Sequence, residues 1–364
     1  MRILLSYVSE TDLGEGQHVH RVLERLGHEV CPINAARTNP KDGHASRKTV
    51  EAFPEFVSIE ELQQLYGRID LFLYVEPFGL IPFGINAASF PTACIIGDTH
   101  RDLPARITLA RFFDHVFLYQ RNHRDAFTEH PAGHVHWLPY ACDLTVFRDL
   151  NMARDLDVAF VGKVDSARSA MLEQLGRRWR LNEQRYYLQH EIPEVYSRAK
   201  IVVNVPVGGD LNFRVFEALS CGAMLLTQRA PNGQETLFQE GVHYAGFDDD
   251  RELIEKVTYY LEHDEERCAI AAAGRREVEA RHSLDDRLKT LVSTVAARPE
   301  PIAPVRRGSS ADVDRAYGNL YAAWASVEAS LALLQDAKRA GRPWIPLGML
   351  SGKAFARRLY RAVR

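Results

Sequence analysis

The chain is 364 residues long, more than one ordinary core supports, so two domains and an extension are expected. Its 46% hydrophobic and 26% charged residues exclude a disordered chain, and a net charge of −3 gives no global attraction to nucleic acid or membrane. The five cysteines (Cys31, Cys94, Cys142, Cys221 and Cys268) are scattered without a C-x-x-C pair, which fits reduced thiols in a cytoplasmic protein.

Residues 2–8 read as a first strand. Their apolar run is shorter than the roughly 7–15 residues of a signal-peptide core, and no segment approaches the roughly 20 apolar residues of a spanning helix. A polar loop over 9–16, carrying Gly14 and Gly16, leads into a helix over 17–26. Gly27 stands where a helix C-cap is wanted, and a second strand follows over 28–33. Further strands are expected at 71–75, 93–96, 115–119 and 135–137. Short, non-alternating apolar strands between helices predict a parallel sheet covered on both faces.

A second α/β unit begins near Leu156, with strand 157–162, helix 167–175, strand 201–205, helix 212–220 and strand 223–227. A helix over 252–263 and another ending near His282 close it. The reading is therefore a first unit over 1–150, a second unit over 151–297, and linker plus helices over 298–364. Pro299, Pro301 and Pro304 mark the linker, and helical periodicity runs over 311–339. The last helix, 350–364, carries Lys353, Arg357, Arg358, Arg361 and Arg364 beside Phe355, Leu359 and Tyr360. It suits a weak contact with an anionic membrane or acidic partner, or, more commonly, packing on the body with a solvated basic face. Open α/β sheets bind ligands at the carboxyl ends of their strands, which puts the expected site in a cleft between the two units.

The segment 204–227 is the most informative. A strand runs into the turn Pro206-Val-Gly-Gly-Asp210, then a short helix from Asn212, a glycine stop at Gly222 and another strand. Two glycines let backbone approach a ligand, and the helix offers free N–H groups to an anion. Val215, Phe216 and Leu219 form its buried stripe, while Arg214 and Glu217, spaced i,i+3, share another face. A guanidinium suits phosphate oxygens, and one carboxylate can accept from two vicinal ribose hydroxyls. The bland alternative is an exposed Arg214–Glu217 ion pair.

The run Arg214-Val-Phe-Glu-Ala-Leu-Ser-Cys-Gly-Ala-Met-Leu-Leu-Thr227 resembles the donor-binding signature of GT-B glycosyltransferases, and in particular the CgeB-like and family 4-like groups. Leu26-Gly-His-Glu-Val30, Trp137-Leu-Pro-Tyr-Ala-Cys-Asp-Leu-Thr-Val-Phe147, Asp157-Val-Ala-Phe-Val-Gly162 and Phe238-Gln-Glu-Gly-Val-His-Tyr-Ala-Gly-Phe247 are similar to segments of the same group in the same order. The resemblance spans about residues 1–295. It implies two Rossmann-like domains facing a cleft, the first for acceptor and the second for donor. It implies a hexosyl transfer from a nucleoside-diphosphate-sugar to a hydroxyl of a glycan, lipid or protein, retaining and without a metal. Glu217 becomes the ribose carboxylate, and Gly162, Lys163, Arg168 and Arg214 the diphosphate contacts. Gln189, ahead of Tyr196, falls near the nucleobase, and Asn212 opens the donor helix. Family members that retain configuration usually keep an acid eight positions before Glu217. Here that position is Gly209, so Asp210 is the substitute candidate.

On the acceptor side, Gly14 and Gly16 could let backbone reach a sugar or phosphate, with His18 nearby, although helix-surface histidines are common. Asp98 and His100 follow an apolar strand at the sheet's carboxyl edge, where they could position or deprotonate an acceptor hydroxyl. The plainer reading has Asp98 capping a helix and His100 exposed. The acidic run 248–250 imitates a metal-binding motif but precedes a helix, where it serves as a cap. His134 and His136 alternate in a strand and lack helical His-x₃-His spacing, so no metal site is expected. A nucleotide-sugar epimerase or a non-catalytic sugar-binding protein of the same architecture are the rival readings.

Overall fold

The computed structural model describes residues 1–9, 14–36, 57–76, 81–100, 102–130, 132–302, 308–324, 327–339 and 341–363. Part of the first loop (10–13) and Arg101 lie outside the described residues. Six parallel strands form the first sheet: β1 (Arg2–Ser9), β2 (Glu29–Ala36), β3 (Leu71–Val75), β4 (Thr92–Ile96), β5 (His115–Leu118) and β6 (Val135–Trp137). Their order is β2-β1-β3-β4-β5-β6, so the winding reverses between β1 and β3. Helices α1 (Glu15–Arg25), α2 (Ile59–Tyr66) and α3 (Leu103–Ala110) alternate with the strands.

The second sheet holds β7 (Leu156–Ala159), β8 (Ala199–Asn204), β9 (Met224–Gln228) and β10 (Ala245–Phe247), all parallel, in the order β10-β9-β8-β7. After β7 and α4 (Ser166–Gly176) the chain crosses to the far side of β7, where Leu181 pairs with Val158 in one parallel bridge. It then returns through α5 (Ile192–Arg198) to β8. This sheet therefore also reverses direction, between β7 and β8. Ligand crevices open at such reversals, and the two carboxyl edges face each other across the molecule. The architecture is α/β, with two parallel sheets in the GT-B arrangement.

The helices α6 (Phe213–Ser220), α7 (Asp250–Glu262), α8 (Asp264–Arg281) and α9 (Leu284–Ala296) complete the order up to the linker. Asp249 accepts from the Glu252 amide at 2.8 Å, so the acidic run 248–250 does cap α7. Among the described residues, no three His, Cys, Asp or Glu side chains are grouped to hold a metal. His134 and His136 instead stack beside His115, with centroids 4.9 and 5.8 Å away, and burial pulls His136 down to about 4.

One apolar cluster joins the two sheets: Leu5, Tyr7 and Val22 on one side, Phe216, Leu219 and Leu291 on the other, with Leu138, Tyr140 and Phe147 between. The interdomain segment 137–147 is thus core. The Cys142 carbonyl accepts from the Leu284 amide at 3.0 Å, and Ser220 Oγ donates to the Phe147 carbonyl. Helix α9 packs on α1, fixed by Arg25, which donates to both Asp285 oxygens (2.9 and 2.7 Å) and to Asp143 (3.1 Å).

Beyond the linker the periodic stretch divides into helices Ser310–Trp324 and Val327–Arg339, followed by Ile345–Val363. The periodicity over 311–339 did not itself display this division into two helices. These three helices cover the outer face of the first sheet: Val313, Tyr317, Leu333, Leu347 and Leu350 share a cluster with Leu4, Phe72 and Phe113. The C-terminal extension is therefore built into the first unit's core.

Candidate functional site

A cavity of about 800 Å³ opens between the two carboxyl edges. Lining it are Asp98 and His100 from the first unit, and Gly162, Lys163, Arg168, Gln189, Asp210, Asn212, Arg214 and Glu217 from the second. Candidates scattered from residue 98 to residue 217 meet in one place.

The donor-side cations have unusual partners. Arg214 donates from Nε to the Val161 carbonyl at 2.9 Å and from Nη1 to Asn204 Oδ1 at 2.8 Å, with Phe160 under its guanidinium at 4.4 Å. Arg168 donates to the Lys163 and Val205 carbonyls at 2.7 and 2.5 Å, with the same Phe160 ring 5.6 Å away. Among the described residues no carboxylate forms an ion pair with Arg168, Arg214 or Lys163. Burial, followed by the neighbouring Arg214 charge, lowers the pKa of Arg168. Two fixed guanidiniums with uncompensated charge at a helix-and-glycine edge suit a multiply charged anion. The glycine there has a steric reason: a Cβ on Gly162 would stand 2.2 Å from Arg214 Nη2.

Glu217 is the complement. It is 7% exposed and, among the described residues, accepts no hydrogen bond. Burial pushes its pKa up to about 7 against the opposing pull of Arg214. The i,i+3 spacing does not produce an Arg214–Glu217 ion pair: Arg214 turns to Val161 and Asn204, and the carboxylate is left facing the cavity. Asn212 donates to Asn204 Oδ1 at 3.1 Å, so Asn204 orders both ends of this patch and is itself held by Thr227. Asn212 caps no helix with its side chain, and its Oδ1 is buried without a partner. Gln189 begins the short turn before α5, beside Tyr187 and the 65%-exposed Tyr186 on the cavity rim.

Across the cavity, His100 Nδ1 and Asp210 Oδ2 are 2.5 Å apart, joining the two units. His123 Nε2 lies 3.9 Å from the other Asp210 oxygen, which is buried and makes no hydrogen bond. Desolvation raises the Asp210 pKa, and the two histidines pull it back. Gly208, at φ +63, lies under this pair, and an added Cβ would sit 3.1 Å from His100 Cγ. Gly209 holds φ +74, a conformation that disfavours any side chain. The acid is carried by the next residue, whose backbone is extended. Asp98 adopts φ +45, in the left-handed region that Asp tolerates. The residue at the N-cap of α3 is Asp102, so Asp98 does not cap that helix, and His100 is engaged with Asp210.

Gly14, Gly16 and His18 do not line the cavity. Gly14 is the N-cap of α1, donating to Gln17 Oε1 at 2.8 Å, and a Cβ on Gly16 would lie 2.3 Å from Tyr7 Cβ, so that glycine serves helix–strand packing. His18 is buried 3.6 Å from Asp143, against Phe147, at the junction between units. The residue of this segment that points to the carboxyl edge is Glu15, which accepts from the Tyr119 hydroxyl and is pushed up to about 8 by burial. Tyr119 stacks on Tyr140, a cavity-lining residue, at 4.0 Å. Glu15, His123, Asn204 and Phe160 were not singled out from sequence. Each acts through partners at least 8 positions away, which no spacing rule displays; Phe160 and Tyr140 lay inside quoted segments without being singled out.

No curated protein matches this sequence. Residues 146–293 match the model of the Glycosyl transferase-like family. HepE of Anabaena, solved in complex with UDP and glucose, superposes with a TM-score of 0.56 at 14% identity, over 82% of this chain and 100% of that one. Sucrose-phosphate synthase of Thermosynechococcus elongatus gives 0.53 at 14% identity, over 81% and 99%. A glycosyltransferase of Rickettsia africae gives 0.54 at 10% identity, over 81% and 98%. The chain has the GT-B fold shared with these proteins, and its second unit carries the Glycosyl transferase-like sequence signature.

Proposed function

We propose that the protein is a glycosyltransferase that moves a hexosyl group from a nucleoside-diphosphate-sugar to a hydroxyl acceptor, retaining configuration and using no metal. The observation that carries this reading is the pairing of an unpartnered buried carboxylate, Glu217, with two uncompensated guanidiniums in one cavity. Glu217 accepts the two ribose hydroxyls, while Arg168, Arg214 and Lys163 hold the diphosphate and stabilise the charge it gains as the C–O bond breaks. Gln189 and its neighbours face the base, with Asn212 at the entrance of the donor helix. Asp210, clasped by His100, stands at the sugar end. Asp98 and His100 position the acceptor hydroxyl, whose oxygen bonds to the anomeric carbon while its proton passes to the departing phosphate oxygen.

A thermal-shift screen with UDP-, GDP-, dTDP- and ADP-sugars tests the donor site. Saturation at roughly 100 times Kd adds about 2.7 kcal/mol to stability. One nucleotide is expected to raise Tm in the presence of EDTA, and Glu217→Gln is expected to remove about half of that rise. No shift with any nucleotide, or an undiminished shift in the variant, sinks the proposal. Sugar interconversion without acceptor would mark an epimerase. An anomeric proton signal of inverted product would overturn retention alone.

A further inference from the structure

The last helix, Ile345–Val363, packs on the body through Leu347, Leu350 and Ala354 and leaves a second apolar line exposed. Trp344, Ile345, Met349, Phe355 and Leu359 are 44%, 62%, 68%, 54% and 53% exposed. At about 100° per residue, Ile345, Met349, Phe355 and Leu359 lie within one face opposite the buried one, along about 21 Å of helix. Four bulky apolar side chains on one exposed helix face are uncommon on a soluble surface and mark a contact surface.

Charge says which contact. Residues 337–364 hold eight basic side chains (Lys338, Arg339, Arg342, Lys353, Arg357, Arg358, Arg361 and Arg364) and no acidic one. The chain's net charge is −3, so the other 336 residues carry −11. Arg342 and Arg357 reach back to the body, donating to Asp314 at 2.7 Å and to Asp102 at 3.0 Å. Lys338 sits 4.3 Å from the ring of Trp344, at the helix start. Basic groups flank an apolar line that no groove encloses, with an exposed indole at its beginning, while the rest of the molecule is repelled by anions. No helix among the described residues is long and apolar enough to cross a membrane, so this one lies on a surface.

We propose that the face of Ile345–Val363 seats the protein on an anionic lipid bilayer, with Trp344, Ile345, Met349, Phe355 and Leu359 in the headgroup–acyl boundary and the basic side chains on lipid phosphates. An acidic protein partner would call for a concave or patterned surface, whereas this line is straight and convex. Arg357 pairs with Asp102, two residues after His100, so the seated helix adjoins the acceptor-side loop of the cavity. The seating itself does not depend on what the cavity transfers.

Vesicle flotation of the full chain tests it. Vesicles of phosphatidylcholine with about 30% phosphatidylglycerol are expected to carry the protein at about tenfold or greater affinity over pure phosphatidylcholine, and about 0.5 M salt to weaken this strongly. Two sets of exposed-site variants, Met349→Ser/Phe355→Ser/Leu359→Ser and Arg339→Glu/Lys353→Glu, should each lower binding roughly tenfold or more without moving Tm. Leu65→Ser, an exposed apolar residue on α2, serves as the control and should change nothing. Failure to float with anionic vesicles overturns the proposal, as does equal binding by the apolar-face variant. So does a concentration-dependent dimer in light scattering that the same variants abolish while vesicles stay bare, because the face then meets a second copy of the chain.

Discussion

The two carboxyl edges that meet at the cavity both bury glutamates, but they treat them differently. On the first sheet, Glu76 is paired with Arg106 at 2.8 Å and accepts from the Gly97 amide at 3.2 Å, and Glu15 accepts from Tyr119. On the second, Glu217 is as deeply placed and has no donor among the described residues, while Arg214 and Arg168 spend their hydrogen bonds on backbone carbonyls and Asn204. Burial raises all three carboxyls, to about 8, 7 and 7 for Glu15, Glu76 and Glu217. A buried group with its partners supplied is part of the scaffold. One left without them is held ready for something that arrives.

That contrast can be broken most forcefully at Glu76. Glu76→Ala removes the buried carboxylate that Arg106 pairs with, which should cost about 3–5 kcal/mol of folding stability in chemical denaturation. Glu217→Gln, by the same measurement without ligand, should be neutral or mildly stabilising. Equal losses at both positions would erase the distinction.

Next in size is Arg214→Ala, which removes a charged contact to the diphosphate and should weaken donor binding by about 100-fold, some 3 kcal/mol, in calorimetric titration. Gly162→Ala should act in the same direction, because the added methyl displaces the guanidinium from its seat on Val161. Unimpaired affinity in the Gly162→Ala variant would mean that Arg214 does not hold the donor.

A smaller effect lies in pH. Glu217 must be ionised to accept two hydroxyls, so donor affinity should fall as pH drops through about 7 and level off above it. Glu217→Gln should flatten the profile at a level lower by about tenfold. A wild-type profile that is flat between about pH 6 and 8 would remove Glu217 from the ribose.

The smallest expected effect is on stability. A carboxyl raised in the folded state holds a proton that the unfolded chain has released, so it stabilises fully below the unfolded pKa of about 4.5, and that stability is lost as pH rises to the folded value. Glu76 and Glu217 complete this loss near 7, leaving Glu15 to titrate up to about 8. His136 and His282, lowered to about 4 by burial, act oppositely: they add stability as pH rises from about 4 to 6.5. Between about pH 7 and 8 the unfolding free energy should therefore fall by about 1–2 kcal/mol, and Glu15→Gln should remove the larger part of the slope. A slope undiminished in the variant would assign it to other groups.

Much of the donor side was readable because it is local. Strand, double-glycine turn, helix and glycine stop follow one another within the single segment 204–227, and their apolar stripe (Val215, Phe216, Leu219) sets which face is buried. The acceptor side was less readable. Gly14, Gly16 and His18 read as a ligand loop in sequence, whereas in the structure Gly16 packs on Tyr7 and His18 on Asp143 and Phe147, contacts to residues distant in the chain that local spacing does not display. The long periodic stretch after the linker was legible as helix, but not its division into two helices or its docking on the first sheet.

The sequence by itself determined the two α/β units, the strand–turn–helix order and the residue types gathered at each strand end, because these follow from hydrophobic period and glycine placement along short stretches. Only the tertiary structure decided that Arg214 turns from Glu217 to Val161 and Asn204, that Asp210 is met by two histidines of the opposite unit, and that Glu217 has no donor among the described residues. Those outcomes depend on which groups lie within about 3 Å after both sheets are in place, and hydrogen bonds over that range carry no trace in the spacing of the chain.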